Sequence, residues 1–90
     1  MVGRAFILYG LQSPGQERKF GCAVSRKTGR AVKRNQIKRR LREWYRAHRG
    51  LLPEDAHIVI VARPAAAALS FHESQRALRR LAQKGGLLRA

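Results

Sequence analysis

The sequence predicts an α+β fold in which two helices pack against a small sheet, with the elements in the order β-β-α-β-α. Three features support this prediction: strand-like apolar runs near the amino end and around residue 60, a long basic segment with helical spacing of its apolar residues, and a second helical segment behind a capping sequence. The 90 residues suffice for one modest hydrophobic core. We therefore predict a single domain over residues 1–90.

The first two elements are predicted to be strands that form a hairpin. Residues 4–12, RAFILYGLQ, are rich in aromatic and aliphatic residues and end at a Ser-Pro-Gly turn sequence. Residues 18–26, RKFGCAVSR, place Phe20, Cys22 and Val24 on one face of a strand. Because the two runs are neighbours in the chain with a turn between them, we expect them to pair antiparallel.

A basic helix is predicted to follow, from about residue 31 to residue 49. A Thr-Gly pair breaks the preceding strand, and Gly50 with Pro53 ends the helix. When the segment is wound at about 100° per residue from Arg34, its apolar side chains fall in an arc from roughly 280° to 340°. The stripe predicted to be buried comprises Ile37, Leu41, Trp44 and His48, with Tyr45 at its edge.

The opposite side of the basic helix carries a continuous sector of cations. On the same wheel, seven long polar side chains occupy roughly 0° to 140°, while Lys33 and Arg40 flank the other side. A charged helix face is usually only solvated, but residues 29–46 contain eight Lys and Arg and a single carboxylate, Glu43. A partner with dense negative charge would relieve the resulting repulsion. This cationic sector comprises Arg34, Asn35, Lys38, Arg39, Arg42, Arg46 and Arg49.

The last two elements are predicted to be a strand and a second helix. Residues 57–62, HIVIVA, are apolar on both faces, which is typical of a strand that is covered on both sides and parallel to a neighbour. Ser70 and Glu73 have the spacing of a capping box, so the helix is expected to begin at Phe71. Its predicted inner side carries Phe71, Ser74, Leu78 and Leu81, and its other side carries Arg76, Arg79, Arg80 and Lys84.

Composition favours a polyanionic partner. The chain has 20 Lys and Arg against 5 Asp and Glu, which gives a formal net charge of +15 and a pI near 11.8. Nucleic acid is the first candidate. A membrane surface also attracts basic amphipathic helices, but this helix presents no broad Leu/Phe/Trp face outward, and the apolar run at residues 58–62 is far too short to span a bilayer. Residues 1–11 also lack the pattern of a signal peptide. We therefore predict a cytoplasmic protein without a membrane partner.

The residues offer no catalytic or metal-binding constellation. The five carboxylates are dispersed, the three histidines are scattered, and the single Cys22 is interpreted as a small core residue. A Lys-Thr-Gly turn at residues 27–29 is too short for a nucleotide loop, although its backbone donors could meet a phosphate. The residues alone predict a binding protein with no catalytic residue and no metal site of its own.

Two segments resemble one known family. Residues 24–46, VSRKTGRAVKRNQIKRRLREWYR, resemble the RNR signature of the protein subunit of bacterial ribonuclease P, a helix that follows a strand ending in Val-Ser-Lys/Arg-Lys. Residues 58–74, IVIVARPAAAALSFHES, are similar to that family's last strand, Ala-Arg turn and final helix. With the FILYGL strand, the resemblance extends over nearly the whole chain and is far more specific than a generic basic helix.

The resemblance implies a fold, an activity and partners. The fold would have a left-handed β-α-β crossover, like that of a ribosomal-protein domain and against the usual right-handed rule. The activity would be that of a ribonuclease P holoenzyme, an endoribonuclease whose catalyst is RNA. The protein would bind ribonuclease P RNA and the 5′ leader of precursor tRNA and promote 5′ maturation. Mg²⁺ would be the cofactor, held mainly by the RNA.

Site residues follow from the resemblance together with the cationic helix. Gln36 replaces the second Arg of the signature and lies near 200° on the wheel, outside the cationic sector, so we expect a modest loss of binding. The predicted RNA-binding residues are Arg26, Lys27, Arg30, Lys33, Arg34, Asn35, Lys38, Arg39, Arg42 and Arg46, and the predicted leader-cleft residues are Tyr9 and Phe20.

The amino end departs from the family pattern. Family members usually begin with a basic helix that covers the sheet and forms one wall of the leader cleft, whereas this sequence enters at the first strand. We therefore expect one sheet face to expose residues from Ile7, Tyr9, Phe20 or Cys22. Such a face predicts marginal stability or self-association.

Two other functions are compatible with the charge. A generic structural RNA-binding protein, similar to a small ribosomal protein, would share the basic surface and the lack of catalytic residues. A DNA-binding protein would insert the basic helix into the major groove. Asn35 and Gln36 lie about 100° apart on that helix, so they do not form one row for reading base edges. RNA is therefore the favoured partner.

Overall fold

The computed structural model describes residues 1–12, 15 and 18–88. The predicted order of elements is confirmed, and short 3-10 turns join several of them. The strands are β1 (Phe6–Gln12), β2 (Lys19–Val24) and β3 (Ala56–Ala62), and the helices are α1 (Ala31–His48) and α2 (Phe71–Lys84).

The sheet has the strand order β1-β3-β2. β3 pairs antiparallel with β1 and parallel with β2. The predicted hairpin between the first two strands is therefore wrong, because β3 lies between them. A strand as apolar as β3 is most stable in the centre, where both of its edges are paired and removed from water. The segment from β2 through α1 to β3 is the parallel crossover.

Among the described residues, the two helices cover one face of the sheet. Phe6, Leu8, Ile58 and Ile60 are at most 1% exposed and share a core with the buried side chains of α1 and α2. The intervening positions form an open face, where Val59 in the central strand is 42% exposed. The prediction that the third strand is covered on both faces is wrong, because both helices contribute their buried residues to the same core.

The buried stripe of α1 follows the predicted spacing. Ile37, Leu41 and Trp44 are buried to 2% exposure or less. His48 is only partly buried; its ring stacks on Trp44 with centroids 4.7 Å apart, and its Nδ1 lies 2.9 Å from the Trp44 carbonyl oxygen. Helix α1 is thus anchored to the core from Ile37 to His48.

Helix α2 begins at the predicted capping box. The backbone N–H of Glu73 donates to Ser70 Oγ at 3.1 Å, and the N–H of Ser70 donates to Glu73 Oε1 at 2.9 Å. The buried positions are Ser74, Leu78 and Ala82, whereas Phe71 is 39% exposed. The prediction is therefore correct for Ser74 and Leu78 and wrong for the two ends of the face. Phe71 is exposed, and Ala82 is buried in place of Leu81.

Disruption of this capping box should lower stability. Ser70→Ala removes an N-cap hydrogen bond, and we expect it to cost about 1 kcal/mol of unfolding free energy. Urea denaturation of the variant and of wild type measures the difference. A matched change at the exposed Gln83, Gln83→Ala, should leave the midpoint unchanged; equal midpoints for all three proteins would refute the role of the cap.

The same box predicts a pH dependence. The backbone N–H of Ser70, its side chain and the charge of Arg76 lower the pKa of Glu73 below its usual value of 4.5. A lowered folded-state pKa stabilises the fold above the unfolded pKa, and this contribution is lost as pH falls through the folded pKa. The thermal midpoint of Glu73→Gln should therefore fall less than that of wild type as the solution is acidified below pH 4.5. Parallel curves would contradict this.

Candidate nucleic-acid interface

The cationic sector lies on the solvent side of α1. Asn35, Arg39, Arg42 and Arg46 are exposed, while Arg34 and Lys38 are partly buried beside the core stripe. The stripe fixes the rotation of the helix, since its burial leaves this sector as the outermost surface. The fold thus presents the predicted cations together, on one rigid element.

A shallow depression runs along the outer surface of α1. Its lining contains no carboxylate, and Gln36, which the wheel placed outside the sector, contributes to it. Glu43 is the one carboxylate on α1, so the more numerous cations around the depression focus a positive potential that attracts phosphate. The lining residues are Arg30, Val32, Lys33, Asn35, Gln36, Arg39 and Arg42.

The start of α1 extends this surface with backbone donors. Gly29 has a φ of +150°, a conformation that favours glycine, and the N-cap residue Arg30 makes no side-chain capping bond. The first-turn N–H groups of an uncapped helix have no intrahelical acceptor, which makes them suited to an anion. Arg26 and Lys27 lie exposed in the 3-10 turn just before this point. The predicted surface is therefore continuous from this turn into the helix.

Two arginines of α1 are partly buried. Arg40 Nη1 donates to the Leu69 carbonyl oxygen at 3.2 Å, so this side chain joins α1 to the segment before α2. Arg34 has a buried Nε with no hydrogen-bond partner among the described residues. A buried unpaired donor costs about 1 to 3 kcal/mol, so an incoming acceptor that reached this guanidinium would gain binding energy.

The two predicted leader-cleft residues lie on opposite faces of the sheet. Tyr9 is 54% exposed on the open face, in register with Val59 of β3. Phe20 is in register with the buried Ile58, and its ring stacks on Tyr45 of α1 with centroids 4.4 Å apart. Of the residues expected on the uncovered face, Ile7 and Tyr9 are there, whereas Phe20 and Cys22 point to the helices, since side chains alternate along β2.

The open face also contains residues that the sequence analysis did not single out. Leu11 is 65% exposed at the end of β1, Val59 lies beside Tyr9, and Lys19 is exposed on β2. Leu11, His57 and Lys19 form one cross-sheet row. The sequence signal for this surface was present as alternation in β1 and β2, but its assembly depends on the strand order.

The described residues contain no candidate for a metal site or for a membrane-spanning helix. Across residues 1–12, 15 and 18–88, no group of three or more His, Cys, Asp or Glu is placed to hold a metal ion. No helix within that same part of the chain is long and apolar enough to cross a membrane.

Comparison with known proteins gives one consistent family. The model of the family described as Ribonuclease P matches residues 1–86. The ribonuclease P protein component of Bacillus velezensis is 42% identical over 89 residues, which cover 97% of this chain and 75% of that protein. The solved RNase P protein of Staphylococcus aureus superposes with a TM-score of 0.89 at 27% identity, covering 99% of this chain and 82% of that one. The protein from Thermotoga maritima gives a TM-score of 0.81 at 25% identity, with 93% and 80% coverage. The chain therefore belongs to the ribonuclease P protein family.

Proposed function

We propose that this chain binds the catalytic RNA of ribonuclease P through α1 and the 5′ leader of precursor tRNA through the open sheet face, and so promotes 5′ maturation of tRNA. The observation that carries the proposal is the carboxylate-free depression on α1, where Arg30, Lys33, Arg39 and Arg42 converge with Asn35 and Gln36. Arginine suits this role because its planar guanidinium binds phosphate oxygens in pairs and stays charged.

The α1 surface is suited to docking more than to reading sequence. A-form RNA has a narrow major groove that side chains do not enter, so proteins contact its phosphates and riboses from outside. The exposed arginines of α1 and the uncapped first turn of that helix supply such contacts. We assign hydrolysis to the RNA, and we propose that Mg²⁺ is held mainly by the RNA phosphates. We propose that the protein acts in the cytoplasm.

The open face suits a single-stranded leader. Tyr9 offers an exposed ring on which a base can stack, Val59 and Leu11 provide apolar contact beside it, and Lys19 supplies a cation for the backbone. Stacking tolerates any base, because every base has a π face. Leader recognition of this kind would be insensitive to leader sequence. Phe20 then acts indirectly, by packing β2 on α1.

The test is precursor-tRNA cleavage by a bacterial ribonuclease P RNA at low magnesium, with and without this protein. Rescue of cleavage is the expected result, because the basic side chains of the bound protein would replace part of the magnesium that screens the RNA phosphates. Tight RNA binding without rescue would remove the leader role and leave the α1 docking role. No preference for this RNA over an unrelated structured RNA would favour the generic RNA-binding alternative.

Tyr9→Ala should weaken leader binding without unfolding the protein. Loss of one stacked base costs about 1 to 3 kcal/mol, whereas the 54% exposure of Tyr9 keeps the effect on stability small. The measurement is the affinity of the protein–RNA holoenzyme for precursor tRNA with a leader, compared with mature tRNA.

Two variants on the same face serve as controls. Tyr9→Phe retains the ring and should retain leader affinity, while Leu11→Ala removes an exposed aliphatic side chain and should have a smaller effect. A Tyr9→Ala variant that binds leader-containing and mature tRNA as wild type does would exclude the stacking role.

A further inference from the structure

Helix α2 carries a second row of cations that the proposed function does not use. Arg76, Arg80 and Lys84 recur every fourth residue and are all exposed. This spacing places them on one side of the helix, each about 6 Å further along its axis than the one before. Glu73, the one carboxylate on α2, is engaged in the capping box. Its charge interacts with Arg76, so Arg80 and Lys84 are the members of the α2 row that have no carboxylate nearby on the helix.

The tertiary structure adds a fourth cation from a distant part of the chain. Residues 1–5 run beside β1, where Val2 bridges to Ile7, and a Cβ at Gly3 would lie 3.1 Å from Leu81 of α2. Close packing of this arm on α2 leaves a groove that is lined mainly by aliphatic side chains. The charged residues in its lining are Arg4, Arg80 and Lys84, with no carboxylate among the lining residues.

This groove concentrates positive potential. Apolar walls have a low dielectric constant, so charges of one sign at their rim produce a stronger field than the same charges on a flat, solvated helix face. Within the groove, Arg4 meets Arg80 and Lys84 of the α2 row, while Arg76 continues the row along the helix outside the groove lining. Arg4 is far from these residues in the chain, so their convergence is a property of the fold and not of helical spacing alone.

The α2 row and the cationic sector of α1 face different directions. Gln75 of α2 donates to the Arg40 carbonyl oxygen at 3.5 Å, and Arg40 reaches back to Leu69, so this side of α1 faces α2. On the helical wheel, Arg40 lies about 170° from the middle of the cationic sector. A phosphate backbone that lies on the sector of α1 is therefore directed away from the α2 row.

We propose that Arg4 and the α2 row, Arg76, Arg80 and Lys84, form a second phosphate-binding surface that binds an RNA segment distinct from the one on α1. The surface is linear, since the row extends over about two helical turns, and it suits a polyanionic strand. The protein then bridges two RNA segments. The inference rests on the proposed function only in taking α1 as the first RNA contact.

The test uses two populations of one short RNA hairpin, labelled with a donor or an acceptor fluorophore and carrying no tRNA or ribonuclease P RNA sequence. Wild type should bring two hairpins together, so that energy transfer rises at low protein concentration and falls when protein is in excess. Arg80→Gln should weaken the second binding event by about two- to fivefold. The triple variant Arg76→Gln, Arg80→Gln, Lys84→Gln should abolish energy transfer and retain binding of the first hairpin.

Arg79→Gln is the matched control. It removes the same charge from the same helix, but Arg79 lies about 100° from Arg80 and is not in the groove lining. Energy transfer lowered equally by Arg79→Gln and Arg80→Gln, or unchanged in the triple variant, would overturn the proposal. The proposal would also be overturned if sedimentation showed that the free protein dimerises and if energy transfer rose in step with the dimer fraction.

The same variants separate RNA from an acidic protein as the partner. The assignment to RNA would be overturned if a polyglutamate peptide bound wild type as tightly as the hairpin does and if Arg80→Gln abolished that binding. Cleavage of precursor tRNA is measured independently with ribonuclease P RNA. If wild type rescues cleavage but does not bridge two hairpins, only this inference is rejected. If wild type bridges two hairpins but does not rescue cleavage, only the proposed function is rejected.

Discussion

Replacement of Trp44 by alanine is expected to unfold the domain or leave it marginally stable. Trp44 is fully buried in the core between α1 and the sheet, and truncation of a buried Trp typically costs about 3 to 5 kcal/mol. Total stabilities of natural domains are only about 5 to 15 kcal/mol, and small domains lie at the low end. Leu41→Ala should cost about 2 to 5 kcal/mol for the same reason. Urea denaturation followed by circular dichroism measures both.

Two variants define how the Trp44 result is interpreted. Val32 is 83% exposed on the same helix, so Val32→Ala should change stability by less than about 0.5 kcal/mol. Trp44→Phe leaves a ring in the core and removes an indole N–H that has no hydrogen-bond partner among the described residues, which offsets part of the lost packing. A Trp44→Ala variant as stable as Val32→Ala would show that α1 is not anchored through this side chain.

Removal of the exposed arginines of α1 should have the largest effect on RNA binding. The triple variant Arg39→Ala, Arg42→Ala, Arg46→Ala should lower the slope of log affinity against log salt by about 2 to 3, since each lost phosphate contact contributes about 0.7 to 0.9. Rescue of precursor-tRNA cleavage at low magnesium should be lost with it. The fold should persist, because these side chains are exposed and their mutual repulsion is removed.

The matched control keeps the charge and changes the shape. The corresponding triple lysine variant should retain the salt slope and lose only the affinity that depends on paired guanidinium hydrogen bonds. An alanine triple variant with the wild-type salt slope would exclude this surface. If the thermal midpoint of the alanine triple variant were far below that of wild type, the three arginines would stabilise the fold. RNA binding would then be measured with the three single alanine variants.

Local features of the fold were predictable because neighbouring residues determine them. The stripe of α1 required only the spacing of Ile37, Leu41 and Trp44, and the start of α2 required only the reciprocal bonds of Ser70 and Glu73. These are effects within one or two helical turns. The inner face of α2 was predicted less well, because the sheet and the amino-terminal arm decide which of Leu81 and Ala82 is buried.

Pairing between strands was not predictable by the same means. The two early runs looked like a hairpin because they are adjacent, but the apolar β3 gains most by taking the central position. The same error affected the site. Once β2 pairs with β3 in parallel, Phe20 takes the same face as Ile58 and stacks on Tyr45, away from Tyr9. The cationic sector was predicted well because it lies on one helix, and the groove beside α2 was missed because Arg4 joins it only through the tertiary structure.

The central position of β3 also determines when the protein can fold. Neither β1 nor β2 has a partner strand until residues 56–62 are available, and the pairing of Phe6 with Ala62 spans more than half of the chain. Formation of such a sheet must first close long loops, so folding is expected to be slow and to begin late. Helix α1 is synthesised before β3, and until then its apolar stripe has no complete sheet to pack on. Synthesis of β3 is therefore the step that fixes this basic helix as the rigid cationic surface that we propose for RNA binding.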